Sequence, residues 1–185
     1  MKSIIKSDVP IIGFAAYSGT GKTTLLINLI PLLKEHGLEV GVIKHAHHTF
    51  EIDQAGKDSY KIRKAGASQM LIGSKERWAL MVDQKETSQT MRLQEYVTLL
   101  DHTKLDLILV EGFKPESIPK IELYRPSLGH PLICKLDESV VAIATDAKIT
   151  EELNLTVLDL NNYDAIMHFI IKKFLKKNNT ALYNH

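Results

Sequence analysis

Ala16-Tyr17-Ser18-Gly19-Thr20-Gly21-Lys22-Thr23 follows a short apolar run, Val9 to Ala16. After it, Leu25, Leu26, Leu29, Ile30 and Leu33 are spaced for one face of a helix. Strand, glycine-rich turn and helix in that order make a cradle for phosphate. Gly19 and Gly21 can take positive φ, which points successive backbone N–H groups inward at phosphate oxygens. The helix beginning near Lys22 adds the positive end of its dipole. Lys22 carries a compact charge to the β- and γ-phosphates, and the Thr23 hydroxyl can ligate magnesium. The stretch departs from the Walker A pattern G-x-x-x-x-G-K-[ST] only at Ala16, where glycine would stand. Ala16 ends the strand, and one extra methyl fits there if the chain is extended. A turn that merely joined strand to helix would need neither the lysine nor the hydroxyl.

Outward from the cradle, strands and helices alternate. Pro31 could bend the first helix and Gly37 is placed to stop it. Leu38 to Ile43 reads as a second buried strand, followed by a polar stretch from Lys44 to Asp58 and a short helix over Lys57 to Ala65. Gln69 to Gly73 and Arg77 to Val82 have strand character, and the short polar gap between them predicts a hairpin. Met91 to Leu100 is helical by spacing. Lys120 to Tyr124 alternates charged and apolar residues and reads as an edge strand. Val140 to Ala144 and Thr156 to Leu160 are further strands, and Tyr163 to Lys177 is the last helix, its lysine tail suited to the negative end of the helix dipole. The expected fold is α/β: a P-loop NTPase-like three-layer arrangement with a mostly parallel sheet and an inserted antiparallel hairpin, residues 1–185 forming a single nucleotide-binding domain.

Leu105 to Val110 is the most apolar strand, and it ends in Glu111-Gly112. A carboxylate at such a strand end is the Walker B arrangement: Glu111 could hold magnesium through water or orient an attacking water. Asp106 begins that strand, at the wrong end. Lys44-His45-Ala46-His47-His48 leaves the second strand on the side where open α/β sheets bind ligands. Zinc would want a fourth ligand and a closed tetrahedron, so polar contact with an anionic ligand or a partner fits these histidines better. Asp53, Lys57, Asp58 and Arg63 follow in a segment suited to sensing the γ-phosphate and magnesium.

Composition narrows the class. With 44% apolar and 24% charged residues and a formal net charge of +1, nothing draws the chain to nucleic acid or anionic lipid. Cys134 is the single cysteine, which excludes an internal disulfide and makes a reducing, cytoplasmic setting the default. No signal-peptide run and no membrane-length apolar stretch is found.

Taken together, Ala15 to Thr24, Ile43-Lys44-His45-Ala46-His47-His48, Gly56-Lys57-Asp58-Ser59-Tyr60, Arg63-Lys64-Ala65-Gly66-Ala67 and Leu107 to Lys114 resemble the MobB family of molybdopterin-guanine dinucleotide biosynthesis adaptors. The resemblance runs from about residue 9 to about residue 178. It implies a homodimer that binds GTP with magnesium, hydrolyses it weakly, and assists the guanylyltransferase that makes molybdopterin guanine dinucleotide, among the molybdenum cofactor assembly proteins. The family's cradle maps onto Gly19, Thr20, Gly21, Lys22, Thr23 and Thr24, and its acidic strand end onto Glu111; Lys22 and Glu111 are the candidates for catalysis and Thr23, Asp53 and Glu111 for the metal. The [NT]-K-x-D signature of guanine-specific P-loop proteins is absent from the sequence. Asp146 could accept from guanine N1–H and N2–H₂, or be an ordinary turn aspartate. Two rivals stay open. A P-loop small-molecule kinase would need the Lys57 to Lys64 segment as its lid, and a metallochaperone GTPase would need a stronger metal motif. No obvious arginine finger lies in cis near the cradle, which predicts slow hydrolysis.

Overall fold

The computed structural model describes residues 5–46, 50–83 and 91–175. The chain divides into two compact units, one of Met1–His45 with Arg92–His185 and one of Ala46–Met91. Its strands are β1 (Ile11–Ala15), β2 (Val40–Lys44), β3 (Gln69–Gly73), β4 (Trp78–Val82), β5 (Leu107–Glu111), β6 (Lys120–Tyr124), β7 (Val140–Thr145) and β8 (Thr156–Asp159). The helices are α1 (Lys22–Glu35), α2 (Asp58–Lys64), α3 (Leu93–Thr98) and α4 (Tyr163–Ile170), the last continued by a π-helical turn over Ile171–Leu175.

In the larger unit six parallel strands lie in the order β2-β5-β1-β6-β7-β8. Period-two alternation sends Ile12, Phe14, Leu107, Leu109, Ile121 and Leu123 to one face. There they meet Leu25, Leu29 and Leu33 of α1 and Ile166, Met167 and Ile170 of α4. Ile11, Ile43, Ile108 and Val110 form the opposite core with Leu93 and Val97 of α3. Both faces are therefore covered, and β1 and β5 need their continuous apolar sequences. The three layers expected from the sequence are present.

Pro31 lies inside α1, which runs unbroken past it to Glu35. The helix stops where the sequence places the stop. Gly37 has φ 75°, its N–H donates to the Lys34 carbonyl at 2.9 Å, and the Leu38 N–H donates to the Leu33 carbonyl at 3.1 Å. That pair of bonds is a Schellman motif, with Leu33 and Leu38 in the same apolar cluster.

The edge-strand expectation for Lys120 to Tyr124 is overturned: β6 lies between β1 and β7, inside the sheet. Its charges are buried and satisfied. Lys120, 1% exposed, donates to the Glu116 carbonyl, to Asp137 at 2.8 Å and to Ser139 at 2.7 Å. Glu122, also 1% exposed, accepts from the backbone N–H groups of Ile133 at 2.7 Å and Cys134 at 2.8 Å. Burial pushes the Glu122 carboxyl above its ordinary range, despite those two bonds. For Asp137 burial opposes the charge too, but donation from Lys120 and Ser139 outweighs it and holds the carboxyl low. The Cys134 thiol, partly buried beside Glu122, is pushed up to about 11.

The smaller unit holds α2 and the expected hairpin. β3 and β4 pair antiparallel with Leu71 opposite Leu80, closed by a turn in which Ser74 Oγ accepts from the N–H groups of Glu76 and Arg77. Leu71, Trp78, Leu80 and Val82 are exposed, Trp78 by 71%. Arg63 of α2 is buried in ion pairs with Glu51 and Asp83.

Candidate functional site

β1 is followed in sequence by β2 on one side of it, while β5 leads to β6 on the other side. This reversal makes a topological switch point at the carboxyl end of β1, the place where open α/β sheets bind ligands. The glycine-rich loop sits there. Gly19 has φ 78° and Gly21 φ 105°, both in the left-handed region expected of them. Ala16 is buried and has no positive φ, so its methyl is accommodated. Gly21 caps α1 without any side-chain acceptor, and no acidic residue occupies the first turn. The positive end of α1 is thus open to an anion.

Thr20 is buried and its hydroxyl donates to the Tyr17 carbonyl at 2.9 Å, which braces the loop and leaves phosphate contact to the backbone. Thr23 and Thr24 are exposed at the start of the helix. Lys22 Nζ donates to the carbonyls of Ala16 and Tyr17, each at 3.3 Å. Its pKa is lowered, first by partial burial and then by Lys114 and Lys44, with Glu111 pulling the other way. Three lysines around one carboxylate leave the site short of negative charge.

Glu111 ends β5 in register with Phe14 of β1 and Lys44 of β2, so the strand-end carboxylate is brought to the cradle as expected. It pairs with Lys44 at 3.2 Å. The chain then turns through Gly112, φ 96°, and Phe113, φ 48°. A Cβ on Gly112 would come within 2.7 Å of His45 Cβ, so only glycine fits this approach. Phe113 rests edge-on against His45 and Tyr96. Asp106, at the other end of the sheet, accepts from the Glu39 N–H at 2.8 Å.

The structure also brings in residues that the sequence did not offer. Arg125, after β6, donates from Nε to the Thr20 carbonyl at 3.0 Å and pairs with Asp146 after β7. An arginine thus stands at the cradle, engaged by the loop and by Asp146. Tyr17 stacks on His130 with ring centroids 4.2 Å apart, and Lys114 Nζ lies 5.2 Å from the Tyr17 ring centroid. The sequence marked Arg125 only by its place just past the Lys120 to Tyr124 strand, and the order of strands in the sheet brings it to β1. Asp146 borders a hollow of about 390 Å³ at the carboxyl ends of β7 and β8, with Thr145, Lys148, Asp159 and Asn161.

Asp53 belongs to the smaller unit, where its Oδ1 accepts from Ser59 Oγ at 3.0 Å and from the Gln54 N–H at 2.8 Å. Its Oδ2 is buried with no hydrogen-bond partner among the described residues. Arg63, the lid arginine of the kinase alternative, is held by Glu51 and Asp83. His47 and His48 lie outside the described residues, as do Lys176 and Lys177 of the last helix. Among the described residues no group of three or more His, Cys, Asp or Glu side chains could hold a metal ion. Nor is any helix among them long and apolar enough to cross a membrane.

With this geometry in place, the comparisons with known proteins agree. The family model described as "Molybdopterin guanine dinucleotide synthesis protein B" matches residues 11–146. A molybdopterin-guanine dinucleotide biosynthesis adapter protein of Escherichia coli strain K12 is 45% identical over 94% of this chain and 98% of its own length. Its counterpart in Haemophilus influenzae is 43% identical over 90% of each chain. Among solved structures, Bacillus subtilis MobB superposes with a TM-score of 0.68 at 23% identity, covering 89% of this chain and 98% of that one. A MobB homologue from Bacillus stearothermophilus gives 0.63 at 23% identity, over 88% and 95%. These structural likenesses speak to the shared P-loop NTPase-like fold, and the sequence matches to descent: the chain belongs to the MobB family.

Proposed function

We propose that this chain is a GTP-binding adaptor in molybdopterin-guanine dinucleotide biosynthesis, a role the names of its relatives support. Residues 1–185 act as one nucleotide-binding domain in the cytoplasm. The observation that carries the reading is the uncapped start of α1, with Lys22 partly buried among Lys44 and Lys114 and opposed by Glu111 alone. A triphosphate supplies the missing negative charge. The backbone of Gly19, Thr20 and Gly21 cradles it, Lys22 contacts its outer phosphates, and Thr23 and Thr24 open the helix beneath it.

The residues fit magnesium, which favours one or two carboxylates together with substrate phosphates. Thr23 offers a hydroxyl and Glu111 a carboxylate, direct or through water. When bound, the ion would neutralise charge on the phosphates. Asp146 reads the guanine edge. Hydrolysis is weak in the isolated protein, and the guanylyltransferase that makes the dinucleotide is the partner. The open apolar face of the hairpin supports a homodimer.

Titration calorimetry with GTP and ATP, with and without magnesium, tests the reading. GTP binds more tightly than ATP, magnesium strengthens both, and Lys22→Ala loses at least the 1.5–3 kcal/mol of a charge-assisted contact, roughly 10- to 150-fold. Wild-type GTP affinity in a folded Lys22→Ala protein would remove the phosphate site. The pH dependence has a definite sign. Bound phosphate favours charged Lys22, whose free-state pKa is below its ordinary 10.5, so affinity is full below that lowered pKa and falls as pH rises through it.

A further inference from the structure

Arg125 spans three strand ends, and what it does there rests on the nucleotide-binding reading above. It follows β6, the neighbour of β1 on the side away from β5. Through Nε it holds the Thr20 carbonyl of the cradle, and through Nη1 the Asp146 carboxylate at the rim of the hollow. A guanidinium carries five N–H donors in a rigid planar fork. Two are engaged in this way, and both donors of Nη2 remain. Nη2 lies 3.8 Å from the point that a Cβ on Gly21 would occupy, beside the residue that caps α1. Nη2 therefore stands beside Gly21 at the start of α1.

The ion pair is not sealed as a structural bridge would be. The side chains are 32% and 25% exposed, and such a pair adds little to stability. Its position gives it another use. Strands lie about 4.8 Å apart, so the hollow at β7 and β8 is two to three strands, roughly 10–14 Å, from β1. Arg125 stands on the path between the two. Any ligand with phosphates in the cradle and a base in the hollow must pass it.

We propose that Arg125 contacts the polyphosphate of the bound nucleoside triphosphate directly, as a second cation beside Lys22, with Asp146 orienting its fork. Lys22 serves the cradle from within the loop, while Arg125 serves it from the neighbouring strand. The Thr20 carbonyl accepts from Nε and the Asp146 carboxylate from Nη1, so the fork is held at two points with Nη2 left over. Because the contact is to phosphate, it is independent of which base the ligand carries.

The test is calorimetry on the full chain with GTP, ATP and magnesium tripolyphosphate, the last having no base. Wild type, Lys22→Ala, Arg125→Gln, Arg125→Lys and Asp146→Asn are compared, with circular dichroism to establish folding. Arg125→Gln should weaken GTP, ATP and tripolyphosphate alike, by about 10- to 100-fold. Arg125→Lys should lose less, since it keeps the charge without the fork. Asp146→Asn keeps an oxygen acceptor for Nη1 and removes a negative charge beside the anion, so it should bind tripolyphosphate severalfold more tightly than wild type. A strut that only braces the loop predicts the opposite: Asp146→Asn would lose as much as Arg125→Gln, and that result overturns the proposal. So does wild-type affinity in Arg125→Gln, or a wild type that binds GTP but not tripolyphosphate. If Arg125→Gln does not fold, Arg125→Lys decides alone, a loss of about threefold or more on GTP and tripolyphosphate supporting the contact and wild-type affinity on both overturning it. Failure of the wild type to bind any nucleotide is a different result, which removes the function proposed above and the role of Arg125 with it.

Discussion

β6 and β4 are both five residues long, and in them charge and exposure run in opposite directions. β6 carries Lys120 and Glu122 and buries both, while β4 carries no charge and leaves Trp78, Leu80 and Val82 in solvent. The reason is in their neighbours. β6 has a strand on each side, and the segment from Ile133 to Ser139 supplies partners for both of its charges. β4 has one strand beside it, in a two-stranded sheet that cannot cover both of its own faces. Burial follows from what packs on a strand, and hydropathy alone does not settle it. Fixed charge inside the larger unit ties distant segments to one geometry, whereas the apolar face of the smaller unit is exposed in the single chain.

The sharpest break of this contrast is Lys120→Met. Losing the ammonium leaves Asp137 and Ser139 facing an apolar chain, which should cost about 3 kcal/mol in urea unfolding, the low end for a broken buried pair because Asp137 keeps some contact with water. An unchanged midpoint would mean that the buried charges on β6 contribute nothing to holding the sheet.

Next in size is Glu122→Gln. Its amide can accept from only one of the Ile133 and Cys134 N–H groups and turns a donor toward the other, for a loss of about 1–3 kcal/mol. The sign with pH is fixed by the raised pKa of Glu122. Its contribution in the wild type is fully present below the ordinary value of 4.5 and is lost as pH rises through the folded value, so the deficit of the variant widens in acid. A deficit that instead grows toward neutral pH would contradict the assignment.

The smallest effect on folding belongs to the hairpin. Leu80→Lys should change unfolding of the isolated chain by no more than about 0.5 kcal/mol, since Leu80 is already 47% exposed. Sedimentation should nevertheless show that self-association is lost. A cost of 2–5 kcal/mol, the range for a core leucine, would show that this face is already covered within one chain.

The same contrast marks what could be read in the residues alone. β1, α1 and β5 were legible because their signals are local: apolar runs, helical spacing, and glycines where positive φ is needed. The hairpin was legible from its short polar gap, and the cradle and Glu111 from strand-end chemistry. β6 was misread because Lys120 and Glu122 are satisfied by residues 11 to 19 positions further on, which no window of alternation includes. Arg125 was missed for a related reason, since its partners are 105 and 21 positions away and meet it only through the order of strands in the sheet. Asp146 was picked for the end of its strand, and its pairing with Arg125 could not be foreseen without that order.

Cys134 has a practical bearing on all of these experiments. Its thiol pKa of about 11 leaves roughly one part in ten thousand as thiolate at neutral pH, so alkylating dyes and mild oxidants react with it slowly. It is also the chain's single cysteine. A second cysteine introduced at exposed Lys75, in the hairpin turn and off the apolar face, would take a fluorophore first. The hairpin can therefore be tagged selectively in the otherwise native protein, and energy transfer between two tagged chains would report their encounter without any change to the phosphate site.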